Sequence, residues 1–440
     1  MGHGTPLTVN REFPSRASTR AESAHRPLRL GIDVPLLLIV STLLVFGVLM
    51  VYSASWDYSA NIMGKSPTYM LTRQIIFLGM GVVVAFFLAF LNYHHWQKLA
   101  PILMVLTIAG LIAVLFRNEV INNAARTIRQ GSGQPSEAAK LAIVIYLSVW
   151  LYAKRNQLSD VSFGLIPLGA ILGILAGLIF LQPDFSAAVT IFLLGGIMFF
   201  LAGGDLRQIA FFIVLGLIVG WIILRFYPTG SQRISEYLIS IKDLTQAPMH
   251  LSRSLEALVK GGWLGVGIGQ ANTKLTGLPL PPTDSIFAVV GEETGFLGAS
   301  GVVILYLMLM WRGLKISQKA PDGLGKLMAA GLSLWLALEA FINIAVIVGL
   351  MPFAGNALPF ISAGGSNLMV SLAAIGILLN ISRVSSQNQA EEERAFNAVV
   401  DLRRRNWRWR IPRSRRAERT NRRPRQKTDD DGWRARNGRS

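Results

Sequence analysis

The sequence predicts an all-α integral membrane protein with about ten transmembrane helices and a large extracytoplasmic loop between helices 7 and 8. Composition, the length of the apolar runs and the placement of the basic residues together predict it. Of 440 residues, 52% are hydrophobic and 15% charged, against about 25% charged in soluble domains. The surplus is gathered in runs of roughly 17–25 residues, long enough at 1.5 Å rise per residue to cross a hydrocarbon core about 30 Å thick. The chain contains no cysteine, which excludes disulfides, thiolate metal sites and cysteine nucleophiles.

Residues 1–30 carry Arg11, Arg16, Arg20, Arg26 and Arg29 without apolar periodicity and read as a disordered cytoplasmic arm. Ile32–Tyr52 is the first span. The trio Ser53-Ala54-Ser55 imitates a signal-peptidase site, but so long an arm before so long a span fits an uncleaved helix. Further spans are expected near 73–91, 99–116, 137–153, 161–181, 185–202, 208–226, 296–311, 325–350 and 357–380. An even number puts both termini on one side. Lys98, Lys154, Arg155, Arg207, Arg312, Lys315, Lys319 and Lys326 fall in loops on that side, so both termini are expected to be cytoplasmic.

The formal net charge of +18 could suggest nucleic acid, but its location argues otherwise. Residues 381–440 hold 18 Lys/Arg against 8 Asp/Glu. A basic tail over 384–440 is expected to contact anionic membrane lipid, with no nucleic-acid partner.

Three substantial loops face the opposite side, over 54–72, 117–136 and 227–295. A connection of nearly 70 residues among short loops is usually functional. Its end reads LPLPPTDSIFAVVGEETGFLG over 278–298. A single helix from Ser285 to Trp311 would bury Glu292 and Glu293 in the bilayer, where each ionised carboxylate costs roughly 2.5–3.5 kcal/mol or more. The expected arrangement is a short helix from about Asp284 to Glu293, a break at Gly295, and a span from Phe296. On that helix Asp284 and Glu292 would share a broad face, with Thr283 or Asp284 as N-cap.

Other polar residues at membrane edges are candidates because burying them is expensive. Arg126 and Arg129 lie in the basic loop. Glu137 and Lys140 are three apart, a spacing that permits an ion pair. Asp184 opens a span, where capping is the simplest role. Glu339 and Asn343 are one turn apart inside the ninth span, and Glu339 could serve as a proton relay in a transporter. The Gly265–Gly269 run lacks nucleotide-binding spacing; it suits tight turns and close backbone approach to a ligand. The five histidines form no metal-ligand pattern, and His250 reads as a loop residue.

Seven stretches together resemble the SEDS family of bacterial cell-envelope proteins (the FtsW, RodA and SpoVE proteins). They are MVYSAS (50–55), NNAAR (122–126), QPSEAAKLA (134–142), LQPDFSAAV (181–189), GGWLGVGIGQ (261–270), the 278–298 segment and LPFISAGGSNLMVSLAAIGILLNISR (358–383). They occur in the family's order across about residues 31–383.

The resemblance implies ten spans and a glycosyltransferase that polymerises lipid II outside the cytoplasmic membrane. It places an essential aspartate at Asp284 and further family polar residues at Arg126, Lys140 and Asp184. It also implies a class B penicillin-binding protein transpeptidase as partner, since this chain has no acylation motif of its own. Leu280 stands where the family usually has Glu, Ser285 where Phe is common, Thr127 where Trp often follows the Arg, and Glu339 where Gln is frequent. The ending and the long basic tail are more similar to the division members than to the elongation members. That suggests other division proteins as partners and the septum as location.

Such a reaction needs a carboxylate to take the acceptor hydroxyl's proton and cations to steady the departing pyrophosphate. The expected base is Asp284, its pKa raised by an apolar rim, with Glu292 and Glu293 as remaining carboxylate partners. Arg126 and Lys140 are the expected cations, with Lys274 or Arg233 as a further candidate. A divalent ion, Mg²⁺ or Mn²⁺, bound through Asp284 and the phosphates is the competing role. A flippase for the same lipid is the competing function.

Overall fold

A computed structural model describes residues 31–117, 134–182, 184–226 and 228–407. Among the described residues every regular element is helical. Eight helices are long and apolar enough to cross a membrane, and the shorter apolar helices Phe185–Leu201 and Leu206–Trp221 stand in the expected sixth and seventh places. The chain is a multi-pass membrane protein.

The first three helices, α1 (Val34–Asp57), α2 (Tyr69–Phe90) and α3 (Trp96–Arg117), are apolar almost all round. Asp33 caps α1, its Oδ1 accepting from the Leu36 amide at 3.0 Å, and Pro35 suits the first turn because it lacks an amide proton. Ile75, Ile76, Phe86 and Phe87 on α2 and Val105 and Leu106 on α3 are exposed. In water such a surface would cost roughly 25 cal/mol per Å²; facing acyl chains it costs nothing.

The chain continues through α4 (Pro135–Lys154), α5 (Ile166–Phe180), α6 (Phe185–Leu201) and α7 (Leu206–Phe226). After these come α10 (Ile286–Lys319), α11 (Gly323–Ile347) and α12 (Gly365–Trp407). Helix α11 packs on α10, α4 and α6. It is buried on nearly every side, from Leu324 to Ile347, as expected of the central helix of a bundle. Asp322 caps it, accepting from the Gly325 amide at 2.9 Å.

The long loop is not irregular. It holds α8 (Pro228–Lys242) and α9 (Met249–Gly261), and α9 packs along α10. The expected break at Gly295 is present, with φ 68° and ψ −170° inside α10. An L-residue rarely adopts that conformation. The expected start at Asp284 needs correction. The helix begins at Ile286, and its N-cap is Ser285, whose side chain makes no capping bond. Neither Thr283 nor Asp284 caps it, because the chain is still turning there, through Leu280 with φ 49°.

The last span is also shorter at its start than hydropathy suggested. Residues 357–364 are non-helical, because Pro359 and Gly364 interrupt the helix and the Ala363 amide donates instead to Pro282 O at 2.8 Å. At its other end α12 carries the basic tail as helix to Trp407. A second compact unit, Ala390–Ser440, begins within it. The arm 1–30 and residues 408–440 lie outside the described residues.

Candidate active site

The Pro-rich turn before α10 is pinned by four bonds from three other segments. Ser362 Oγ donates to Thr283 O at 2.7 Å, and the Ala363 amide to Pro282 O. From α11, Asn343 Nδ2 donates to Asp284 O at 2.9 Å. From α9, His250 Nε2 lies 3.0 Å from Ser285 Oγ. That hydroxyl has one proton, and Pro279 O takes it at 2.6 Å. Nε2 is therefore the donor, which fixes the histidine tautomer. Asp284 itself is half-buried.

Because Asp284 precedes the helix, it shares no helical face with Glu292. Glu292 is 1% exposed, its Oε1 accepting from the amides of Asn272 and Thr273 at 2.9 and 3.2 Å. Glu293 is equally buried. Its Oε1 accepts from Lys274 Nζ at 2.7 Å and from Ser53 Oγ at 2.5 Å. Lys274 donates as well to Ser53 O at 2.9 Å. These three residues, expected to meet substrate, instead clamp the loop to α1 and α10. Their spacing could not show this, since the partner Ser53 lies 240 residues away.

A second polar network lies deeper. Lys140, 1% exposed, is 2.9 Å from Glu137 Oε2 and pairs with Glu339 Oε1. Asn367 Nδ2 donates to Glu137 Oε2 at 2.9 Å and reaches Glu339 Oε2 at 3.4 Å. Asn356 Nδ2 donates to Glu339 O at 3.0 Å, and Asn343 Nδ2 to Asn356 O at 2.5 Å. One ion pair and three hydrogen bonds, joined through the covalent frames of Glu339, Asn356 and Asn343, thus link Lys140 to the carbonyl of Asp284. The expected Glu137–Lys140 pair is present; Glu339 as its second carboxylate is what the tertiary structure adds.

Asp184 caps α6, Oδ1 accepting from the Ala187 amide at 3.4 Å. Its other oxygen accepts from Ser136 Oγ at 2.9 Å and Gln134 Nε2 at 3.1 Å. It therefore holds the first turn of α4 and, through it, Lys140. Arg126 and Arg129 lie outside the described residues.

Arg233 donates from its guanidinium to Phe353 O at 3.5 Å. Its guanidinium lies 5.2 Å from the Phe353 ring centroid. Together with Glu236, Tyr237, His250 and Leu251 it lines a cavity of about 270 Å³. His250 was not legible as a site residue, because neither a lone histidine nor its spacing shows that it reaches Ser285. Ser53, Asn367 and Ser362 do lie within the stretches that carried the family resemblance.

Burial pushes the His250 imidazole down to about 4 from the ordinary 6.5. The unfolded chain therefore binds a proton that the folded chain refuses between those values. This contribution is full above pH 6.5 and is lost as pH falls towards 4, by at most about 3 kcal/mol at ~1.4 kcal/mol per unit. Melting of the detergent-solubilised chain should drop across that window, and the drop should shrink in His250→Gln, which retains a donor but cannot titrate.

Buried ion clusters inside a helical bundle, beside a turn held by bonds from three other segments, define a polytopic membrane protein with a built polar site. The comparisons make that class specific. The family model for FtsW, RodA and SpoVE, described as "Cell cycle protein", matches residues 34–387. Stage V sporulation protein E of Bacillus subtilis is 36% identical over 365 residues, covering 80% of this chain and 97% of that protein. A probable peptidoglycan glycosyltransferase FtsW of Trichlorobacter lovleyi is 36% identical over 369 residues, covering 82% and 96%.

Among solved structures, a chain of a peptidoglycan synthase complex studied for its coordination of polymerization and crosslinking superposes with TM-score 0.67 at 26% identity, covering 81% of this chain and 99% of that one. The rod shape determining protein RodA of Thermus thermophilus gives TM-score 0.60 at 25% identity, covering 81% and 98%. The chain belongs to the FtsW/RodA/SpoVE family.

Proposed function

We propose that this chain is a peptidoglycan glycosyltransferase that polymerises lipid II into glycan strands at the outer face of the cytoplasmic membrane, serving septal wall synthesis in cell division. The observation that carries the reading is the turn 279–285, which holds one carboxylate, Asp284, at the membrane edge by bonds from three other parts of the chain. A positioned base needs such rigidity, since a displacement of about 1 Å can cost 10²-fold in rate.

In the reaction the acceptor sugar's hydroxyl oxygen bonds to the anomeric carbon while the bond from that carbon to the lipid pyrophosphate breaks. Asp284 takes the hydroxyl proton, and direct displacement inverts the anomeric centre. Lys274 is fully engaged by Glu293 and Ser53, so it holds the loop and does not serve the leaving group. Arg126 is the cation proposed for the pyrophosphate. Lys140 acts through Glu339, Asn356 and Asn343 on the position of Asp284. Mg²⁺ remains chemically compatible: with Glu292 and Glu293 spent elsewhere, it would take Asp284 and the substrate's own phosphate oxygens.

The partners that fit are lipid II, a class B penicillin-binding protein, other division proteins, and anionic lipid at the basic tail, both termini being cytoplasmic. Purified chain in vesicles with fluorescent lipid II tests the reading. Long glycan strands are expected. Leaflet transfer without polymer would overturn it in favour of a flippase that uses the buried Lys140 cluster.

A further inference from the structure

The segment Val259–Ile268 carries an apolar surface that the reaction does not use. Val259 is 81% exposed, Trp263 71%, Leu264 80% and Ile268 56%. On a face bathed in water this is a costly patch, and contiguous exposed apolar surface marks an interaction site. What covers it follows from the depth at which the chain holds it.

The depth can be read along α10. At one end of that helix Arg312 pairs with Asp33, the cap of the first span, at 2.8 Å. Beside it Lys315 lies over the Trp311 ring. A cation pair and a Trp of this kind mark a membrane interface. Phe296 lies sixteen residues back along the continuous part of the helix, about 24 Å at 1.5 Å per residue, inside a hydrocarbon core about 30 Å thick. Phe296 and Leu297 are 58% and 57% exposed, as side chains facing lipid should be.

The 262–267 segment is bonded to this depth. The Phe296 amide donates to Gly262 O at 2.8 Å and the Leu297 amide to Trp263 O at 3.2 Å. The Val266 and Gly267 amides donate to Glu292 O and Glu293 O at 3.0 and 3.1 Å. The Trp263 ring meets the Phe296 ring edge-on at 5.2 Å. A Cβ on Gly265 would overlap Glu293 O, which is why so close a backbone approach uses glycine. Non-helical backbone is tolerated at membrane depth only where its polar groups are satisfied by protein. These bonds meet that condition, and they leave the side chains of 263 and 264 pointing outward.

We propose that Val259–Ile268 is a re-entrant segment of the long loop that inserts Trp263 and Leu264 into the acyl region of the lipid leaflet on the loop side. The contact is apolar rather than ionic, since Arg253 and Lys260 on the same helix are both spent on Glu256 at 2.6 and 2.7 Å. The inference holds whichever reaction the chain performs. Its consequence is that the loop bearing Lys274 and the Asp284 turn is anchored in the bilayer as well as to α1.

Because the chain has no cysteine, single cysteines can be spin-labelled in the full chain in phosphatidylcholine vesicles. Collision with lipid-soluble oxygen is then compared with collision with a water-soluble nickel chelate. Phe87→Cys on α2 gives the lipid reference and Ser66→Cys, between α1 and α2, the water reference. The oxygen-to-nickel ratio at Leu264→Cys should match that of Phe87 and be unchanged when phosphatidylglycerol is added. Val259→Cys gives a second reading if the first variant folds poorly. Free access of nickel at both positions would overturn the proposal. So would an immobilised label shielded from both reagents, which indicates a protein partner, or a ratio that rises only with anionic lipid.

Discussion

Asp284→Asn is expected to leave the chain folded and inserted while glycan polymerisation from lipid II falls by about 10²–10⁴-fold, the range general-base catalysis contributes. The substitution removes the proton acceptor and keeps the shape. The Asn343 bond goes to the backbone carbonyl of residue 284 rather than to its side chain, so the turn's anchoring survives. Loss of activity with an unchanged melting temperature would therefore locate the defect in chemistry. Full activity would remove Asp284 from the mechanism. Parallel assays with a chelator separate a base from a metal ligand: a base leaves wild-type activity insensitive, and a metal ligand makes it collapse.

The second large effect is on stability. Lys140→Met should destabilise the chain by about 3–5 kcal/mol, because it strands buried charge that the lysine compensates. Glu137 and Glu339 would then face each other across Asn367. Melting and the yield of monodisperse protein in detergent measure the loss, and polymerisation should fall with it as Asn356 and Asn343 shift. The triple variant Glu137→Gln, Lys140→Met, Glu339→Gln should recover most of the melting temperature, since replacing a whole buried ion cluster is often nearly neutral. If Lys140→Met melted like the wild type, the proposed role of the cluster in holding the turn would fail.

Much of this is legible in the sequence. The break at Gly295 followed from the cost of placing Glu292 and Glu293 in a span, and the Glu137–Lys140 pair from helical spacing. The cap at Asp184 followed from its position before an apolar run. The errors have one origin. Local periodicity puts Asp284 and Glu292 on one helical face, whereas the helix begins only at Ile286, after a turn that runs through Asp284. Likewise, hydropathy draws the last span back to residue 357, although Pro359 and Gly364 keep that stretch free to bond the turn before α10.

The sequence by itself determined the class of protein and the order of its spans. Hydrophobic run length and the cost of buried charge act along the chain, so one dimension is enough to read them. Only the tertiary structure decided what each charged group does. Lys274 reaches Ser53 and Glu293, Lys140 reaches Glu339, and His250 reaches Ser285, in each case across spans that sequence distance does not relate. In a low-dielectric interior a charge settles on whichever partner packing brings within hydrogen-bond reach, and packing is a property of the folded bundle.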